Sequence, residues 1–353
     1  MALTYQAGRR VQGTAADRAA VDGVSGGWKE VGRTTLGSTT TTINVASIPD
    51  KRYYMVLVDA NMAGSTNSAF QLNGDTGSNY TNRKSYEGGA DATDTSFTVG
   101  RIQGHGGPVP DFNVMYMSNL AAKEKLIINH GVNQNTAGAG TAPRRAEIAT
   151  KWANTSAAIN RFTAVDYLNS GSGYATGAEV VVLGYDPDDT HTDNFWEQLA
   201  DVTLSSTGDN LSSGTITAKK YLWIQTYISD TGGQDSVNMT FNNDTGNNYA
   251  FRRNNNGGTD ATTTSTSHIT LNSSEVTEDL FSNVFIINNS SNEKLVIGHT
   301  IQNQTLGAGT APIRKEFVGK WSNTSSQITE IDFDNDSSGS YDTNSFIKVW
   351  GSN

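Results

Sequence analysis

Two matched octapeptides carry the residues best suited to holding a ligand. Asn73-Gly74-Asp75-Thr76-Gly77-Ser78-Asn79-Tyr80 and Asn242-Asn243-Asp244-Thr245-Gly246-Asn247-Asn248-Tyr249 each place a carboxylate four residues ahead of an amide. Such a pair could take a cation or a sugar hydroxyl, which makes Asp75, Asn79, Asp244 and Asn248 the candidate ligand-binding residues. The same letters also spell a turn. An Asp before Thr-Gly accepts nearby backbone N–H groups while the Gly takes a positive φ. A motif that occurs twice fits a fold-forming turn better than a site.

Other chemistry is sparse. There are five histidines, and His130 and His299 stand at matched places after apolar runs, where a structural hydrogen-bonding role outweighs catalysis. No Ser-His-Asp order, HExxH, P-loop or GxSxG elbow is present. With no cysteine, disulfides, thiolate metal sites and a Cys nucleophile are excluded. A glycosidase carboxylate pair could be assembled only in three dimensions. Neither catalytic residue nor metal nor cofactor is expected. Trp152 and Trp321 follow Lys151 and Lys320, and a matched Trp on a strand belongs in a core or its rim. Arg145 and Arg314 precede Glu147 and Glu316 by two residues, which on a strand share a face; a surface ladder is expected there.

These residues sit in a long internal repeat. A shift of 169 residues carries Asn73 onto Asn242, Glu124-Lys125-Leu126 onto Glu293-Lys294-Leu295, and Gly138-Ala139-Gly140-Thr141-Ala142-Pro143 onto Gly307-Ala308-Gly309-Thr310-Ala311-Pro312. A period of this length holds a whole domain. The chain therefore reads as an arm (1–27), copy one (28–185), an acidic linker (186–195) and copy two (196–353). The linker, Asp186-Pro187-Asp188-Asp189-Thr190-His191-Thr192-Asp193, misses EF-hand spacing and its closing Glu.

Composition sets the fold class. Gly numbers 36, charged residues are 17% and aromatic residues 9% of 353, a profile of turn-rich, core-forming β structure. Tyr53 to Val58 and Tyr221 to Ile228 are near-continuous apolar runs, as for strands covered on both faces. Thr329-Glu330-Ile331-Asp332-Phe333 alternates, predicting Ile331 and Phe333 inward and both acids outward. Eight or nine strands per copy predict an all-β protein with two tandem jelly-roll-like β-sandwich domains behind an extended N-terminal arm. The net charge of −10 argues against nucleic acid as a partner, and no apolar run approaches the roughly 20 residues of a membrane span. The N-terminus lacks a Sec-type signal, so a soluble product is expected.

Features present once point to assembly. The arm carries Tyr5, Arg9, Arg10 and Arg18, with Thr14-Ala15-Ala16-Asp17 spaced as a capping box before a short helix near Asp17 to Asp22. Too polar to build a core, it is expected to be held by a neighbouring subunit. Copy one alone has Gln103-Gly104-His105-Gly106-Gly107-Pro108-Val109-Pro110-Asp111, a stiffened loop ahead of Met115-Tyr116-Met117 that could present a contact surface. His105, Pro108, Pro110 and Tyr116 join the arm residues as the candidate assembly interface.

Two segments carry a family resemblance: the octapeptides in their context, and the closing Ile328-Thr329-Glu330-Ile331-Asp332-Phe333 followed by Ser345-Phe346-Ile347-Lys348-Val349-Trp350-Gly351. Both resemble jelly-roll modules of virion proteins of tailed bacteriophages. The opening Ala2-Leu3-Thr4-Tyr5-Gln6-Ala7-Gly8-Arg9-Arg10-Val11-Gln12-Gly13 is similar to the start of structural proteins of marine phages. The resemblance implies a non-enzymatic virion component, made in the bacterial host cytoplasm and placed on the particle exterior. As a capsid decoration protein it would be anchored by arm and copy one to the major capsid protein or other virion proteins, as a homo-oligomer, a trimer by analogy. The alternative it allows is a tail-associated or receptor-binding protein that grips host glycans; a polysaccharide-cleaving enzyme is a third, weaker reading.

Overall fold

The computed structural model describes residues 27–64, 67–103, 107–168, 171–187, 194–229, 235–272, 279–303 and 307–353. The arm with its expected helix, His105 and most of the linker lie outside them. The described chain is all-β, with 24 strands and no helix. In copy one an eight-stranded antiparallel sheet runs β1 (Lys29–Thr35), β12 (Glu179–Tyr185), β3 (Tyr53–Asp59), β8 (Asp111–Ser118), β9 (Lys125–Asn133), β10 (Arg144–Trp152), β5 (Tyr80–Tyr86), β6 (Ala92–Phe97). A four-stranded sheet runs β2 (Thr42–Ala46), β11 (Arg161–Asp166), β4 (Ser68–Leu72), β7 (Gly100–Arg101).

Copy two repeats this strand for strand. Its large sheet is β13 (Glu197–Thr203), β24 (Phe346–Ser352), β15 (Tyr221–Ile228), β20 (Leu280–Ile287), β21 (Lys294–Gln302), β22 (Ile313–Trp321), β17 (Tyr249–Asn255), β18 (Ala261–Thr266). Its small sheet is β14 (Asn210–Ser212), β23 (Ile331–Asp334), β16 (Asn238–Phe241), β19 (Ile269–Thr270). The chain thus forms two tandem jelly-roll-like β-sandwiches, with twelve described strands each against the eight or nine expected. β7, β14 and β19 have only two or three residues, too few to show an alternating pattern.

Each sandwich closes over its own core. In copy one it contains Val45, Phe70, Leu72, Tyr80, Trp152 and Phe162; in copy two Leu211, Phe241, Tyr249, Trp321, Ile331 and Phe333. A third core lies between the copies. Along β3, Tyr54, Val56 and Val58 point into the copy-one sandwich, while Met55 and Leu57 point the other way, toward Tyr221, Phe285, Leu295 and Ile297 of copy two. β12 divides likewise, with Val180 and Val182 inside and Val181 and Leu183 between the copies. The large sheets therefore meet face to face, and the order of layers is small, large, large, small. This is why Tyr53 to Val58 lacks a polar alternate: period two puts every second residue into one core or the other. Trp196, Trp223, Phe285 and Trp350 pack around the junction, with Trp223 and Phe285 stacked at 5.6 Å.

Two expectations change. Ile331 and Phe333 are buried as predicted, but Asp332 is buried too; β23 lies inside the small sheet, with β14 and β16 on either side. Met115 and Met117 point into the copy-one core, so of Met115-Tyr116-Met117 only Tyr116 turns outward, and it packs on the core between the copies.

Phe285→Ala empties part of that junction at a cost of about 3–5 kcal/mol. Calorimetry is expected to show the joint melting of the copies split into two transitions, which a variant that merely shifts one transition would contradict.

Candidate functional site

Both octapeptides are turns built around a saturated carboxylate. Asp75 Oδ1 accepts from Gly77 N–H at 2.8 Å and Asn79 Nδ2 at 3.2 Å; Oδ2 accepts from Asn79 at 2.9 Å and from Trp152 Nε1 at 2.7 Å. Copy two reproduces it: Asp244 takes Gly246 N–H at 2.9 Å, Asn248 at 3.0 and 2.9 Å, and Trp321 Nε1 at 2.7 Å. A carboxylate offers about four lone-pair sites, and all are used, so a ligand must displace one of these donors. These bonds hold both carboxyls below their ordinary range although burial acts to raise them. The positive φ falls on Asn73 and Gly74, and on Asn242 and Asn243, not on Gly77 or Gly246 as expected. A Cβ at Gly77 would meet Asn79 Nδ2 at 2.8 Å, so that glycine makes room for the amide.

Behind each turn a buried lysine completes a clamp. Lys125 Nζ donates to the carbonyls of Lys123 and Asn154 and stands 5.9 Å from the Trp152 ring; Lys294 does the same with Asn292, Asn323 and Trp321 at 5.7 Å. Burial pushes the Lys294 ammonium down to about 8. The repeated Glu-Lys-Leu carried the signal for this pair, but strand position alone did not show that the lysine turns inward.

The second cluster forms where the copies meet. His130 and His299 touch edge to face, ring centroids 4.4 Å apart, and His130 Nδ1 hydrogen-bonds Glu147. Arg145 is no surface ladder: it is 3% exposed and donates to Glu147 at 3.3 Å and, across the junction, to Glu316 at 3.0 Å and Asp260 at 2.8 Å. Burial alone raises the Glu147 carboxyl; the His130 hydrogen bond and the charges of His130, His299 and Arg145 more than reverse this. Burial first, then His130, bring His299 down to about 4. His130, Glu147 and His299 each offer one ligand atom within 4.8 Å of the others, a donor set known for zinc and non-haem iron. A dication there has to break the His130–Glu147 bond beside the Arg145 guanidinium, so the cluster reads as an ionic joint.

A third group is also shared. Lys220 Nζ lies 3.0 Å from Asp59 and 3.1 Å from Glu179, whose carboxylate also accepts from Tyr221 OH at 2.8 Å and Arg33 at 3.3 Å. Burial acts to raise Glu179, but Thr35, Lys220, Tyr221 and Arg33 hold it below its usual range. Lys220 matches Arg52, but Asp59 and Glu179 stand where copy two has Tyr227 and Phe346, so the repeat could not reveal the group.

Of the other candidates, Tyr5, Arg9, Arg10, Arg18 and His105 lie outside the described residues. Pro108 is exposed, and the Pro110 carbonyl accepts Gln134 N–H at 3.0 Å. The structure brings Asp75 to Asn79 and Asp244 to Asn248, each within its own turn.

No family of known proteins matches the chain, and no curated protein is similar to it. Among solved structures the chain is similar to domains LG4-5 of the mouse laminin alpha1 chain, at 8% identity and a TM-score of 0.16, covering 93% of this chain and 92% of that one. It is also similar to Neisserial surface protein A, at 8% identity and 0.11 over 81% and 99%. Outer membrane protein OprG of Pseudomonas aeruginosa gives 8% identity and 0.09 over 90% and 100%. Likenesses this weak carry nothing about function.

Asp244→Ala strands the indole N–H of buried Trp321 and two further donors; a loss of about 1–3 kcal/mol in denaturant unfolding is expected, matched by Asp75→Ala in copy one. His299 has a folded pKa near 4 against an ordinary 6.5, so between these values the unfolded chain takes up a proton that the folded one does not. Stability from this group is full above pH 6.5 and is lost as pH falls toward 4. Relative to His299→Asn, the wild type should lose on the order of 2 kcal/mol across that window, and parallel unfolding curves for the two would refute the assignment.

Proposed function

We propose that this chain is a non-enzymatic structural protein of a bacteriophage particle, decorating the capsid exterior and anchored through its arm and copy one. The observation that carries this reading is where the chain's polar chemistry goes. Both Asp-Asn turns are saturated by their own donors, and the histidine and carboxylate clusters bind one copy to the other. Such an arrangement serves a body that must stand firm against a partner. The motif resemblance to jelly-roll virion modules supplies the particle.

One feature favours the tail-associated, glycan-binding alternative. Trp28, Tyr185 and Tyr53 form an aromatic row, with centroids 5.8 and 6.3 Å apart, and Tyr53 is exposed; exposed aromatic faces suit sugar rings.

Deleting residues 1–27 should leave the melting temperature of the body unchanged and abolish incorporation into particles. Normal incorporation of the truncated protein rules out arm anchoring. Electron microscopy of labelled particles separates the two readings, a lattice on the head supporting decoration and a tail-end position supporting glycan recognition.

A further inference from the structure

The junction has a matched centre and unequal halves. His130 and His299 stand 169 residues apart, at the same place in the two copies, and they touch each other. From that point β9 and β21 run in opposite senses: Val132 and Ile297 share the core between the copies, and Lys320, paired with Leu295 across the strands, reaches the Gln134 carbonyl at 3.2 Å. A contact centred on a residue and its own counterpart is an approximate two-fold, and a two-fold makes every contact twice. One half is made. Arg145 donates to Asp260 at 2.8 Å and to Glu316 at 3.0 Å, and Arg252 Nε to the Pro143 carbonyl at 3.0 Å. Gly138 N–H donates to Glu293, and Ser265 N–H to the Ala139 carbonyl at 2.8 Å.

The other half has the same residues and stands open. The shift of 169 turns the contacts above into Arg314 with Asp91 and Glu147, Arg83 with Pro312, Gly307 with Glu124, and Ser96 with Ala308, every residue type kept. Here the charged groups pair within their own copy instead: Arg314 with Glu316 at 3.2 Å, Arg83 with Asp91 at 3.3 Å and Lys151 with Glu124 at 3.3 Å. Leu126 and Ile128 are 59% and 54% exposed, while their counterparts Leu295 and Ile297 are 0% and 2%. Phe281 and Ile301 are exposed where Phe112 and Val132 are buried. With Tyr53 these make five of the seven large apolar side chains exposed among the described residues, so the bare apolar surface is concentrated in this half. Its backbone already has the docked form: φ is 89° at Gly307 against 87° at Gly138, and 51° at Ser96 against 49° at Ser265. An open depression of about 390 Å³ lined by Asn256, Ala311, Pro312 and Arg314 lies at the counterpart of the place where Arg252 meets Pro143.

We infer that the two sandwiches of one chain rock about the His130–His299 contact between two states, the second half of the junction closing as the first opens. In the second state Arg314 pairs with Asp91, Arg83 reaches the Pro312 carbonyl, Glu124 receives Gly307 N–H, and Ile128 loses water against Ile301. The occupant of the exposed apolar face is thus the opposite sheet of the same molecule. The states are unequal at two positions. Lys220 and Tyr221 meet the carboxylates of Asp59 and Glu179 in the half that is made, whereas their counterparts Arg52 and Tyr53 would meet the rings of Tyr227 and Phe346. The observed state is therefore the more populated one, and whatever binds the residues of either half shifts the balance. A packed junction with two discrete arrangements is a switch that either half can throw. This holds whether or not the chain belongs to a virion.

The chain has no cysteine, so the pair Ile128→Cys with Ile301→Cys, both at exposed positions, can be read in the full chain with a bismaleimide that spans about 10 Å, the spacing of packed sheets. Cross-linking within single chains, checked by mass, should be slow in this background and at least about tenfold faster with Glu179→Gln, which weakens the made half at Lys220 and Tyr221. Asp91→Asn, at an exposed side chain of the open half, should slow it severalfold with the melting temperature unchanged. A reference pair, Leu120→Cys with Ile301→Cys, measures chance encounter and should respond to neither change. A rate that ignores either change, or a reference pair that follows Glu179→Gln equally, would overturn the inference, the first by leaving a single rigid state and the second by showing a loosened junction with no second register.

Discussion

Everything in this fold depends on the removal of water between two large β-sheets. A sheet with one wet face can alternate apolar and polar residues, but β3 and β12 carry apolar side chains on both sides because each serves two cores. At about 1.5–3 kcal/mol for each large apolar side chain fully buried, Met55, Leu57, Val181 and Leu183 with Phe285, Leu295 and Ile297 supply the burial that holds the copies together. The polar groups at the junction then fix how the sheets meet. Arg145 and Lys220 lose hydration there and recover it only in one register, where Asp260 and Glu179 of the other copy lie within reach. Buried ion pairs of this kind contribute little net stability but penalise misplacement heavily.

The two turns show the same economy at smaller scale. A single carboxylate fixes its own loop, orients an amide and satisfies a buried indole, and a lysine ammonium lies over the ring of that indole. The result anchors β5 to β10 in copy one and β17 to β22 in copy two at the residues that fill the sandwich centres.

Much of the fold was legible in the residues. The 169-residue repeat gave the two sandwiches, the apolar run from Tyr53 to Val58 gave a strand covered twice, and the Asp-Thr-Gly motif gave a turn. What lay hidden was anything decided by the relation between copies. Arg145 and Arg314 look alike, yet one is buried across the junction and the other faces solvent; Leu126 and Leu295 differ in the same way. Identical residues in identical local structures part company only through what packs on them, which no local pattern encodes. The pairing of His130 with His299 escaped for the same reason, although their matched positions were visible. Short strands such as β7 and β19 are created by their neighbours in the small sheets and leave no periodic trace.

The placement of the indoles has an optical consequence. Trp28, Trp196, Trp223 and Trp350 gather at the junction, whereas Trp152 and Trp321 lie deep in the separate sandwiches. Trp223 sits 5.7 Å from Trp196 and 5.1 Å from Trp350, close enough for their excited states to couple, while each of the other two emits from its own sandwich, between a carboxylate on its N–H and a lysine ammonium over its ring. Light absorbed by this chain therefore reports on two events separately, the parting of the modules and the melting of each.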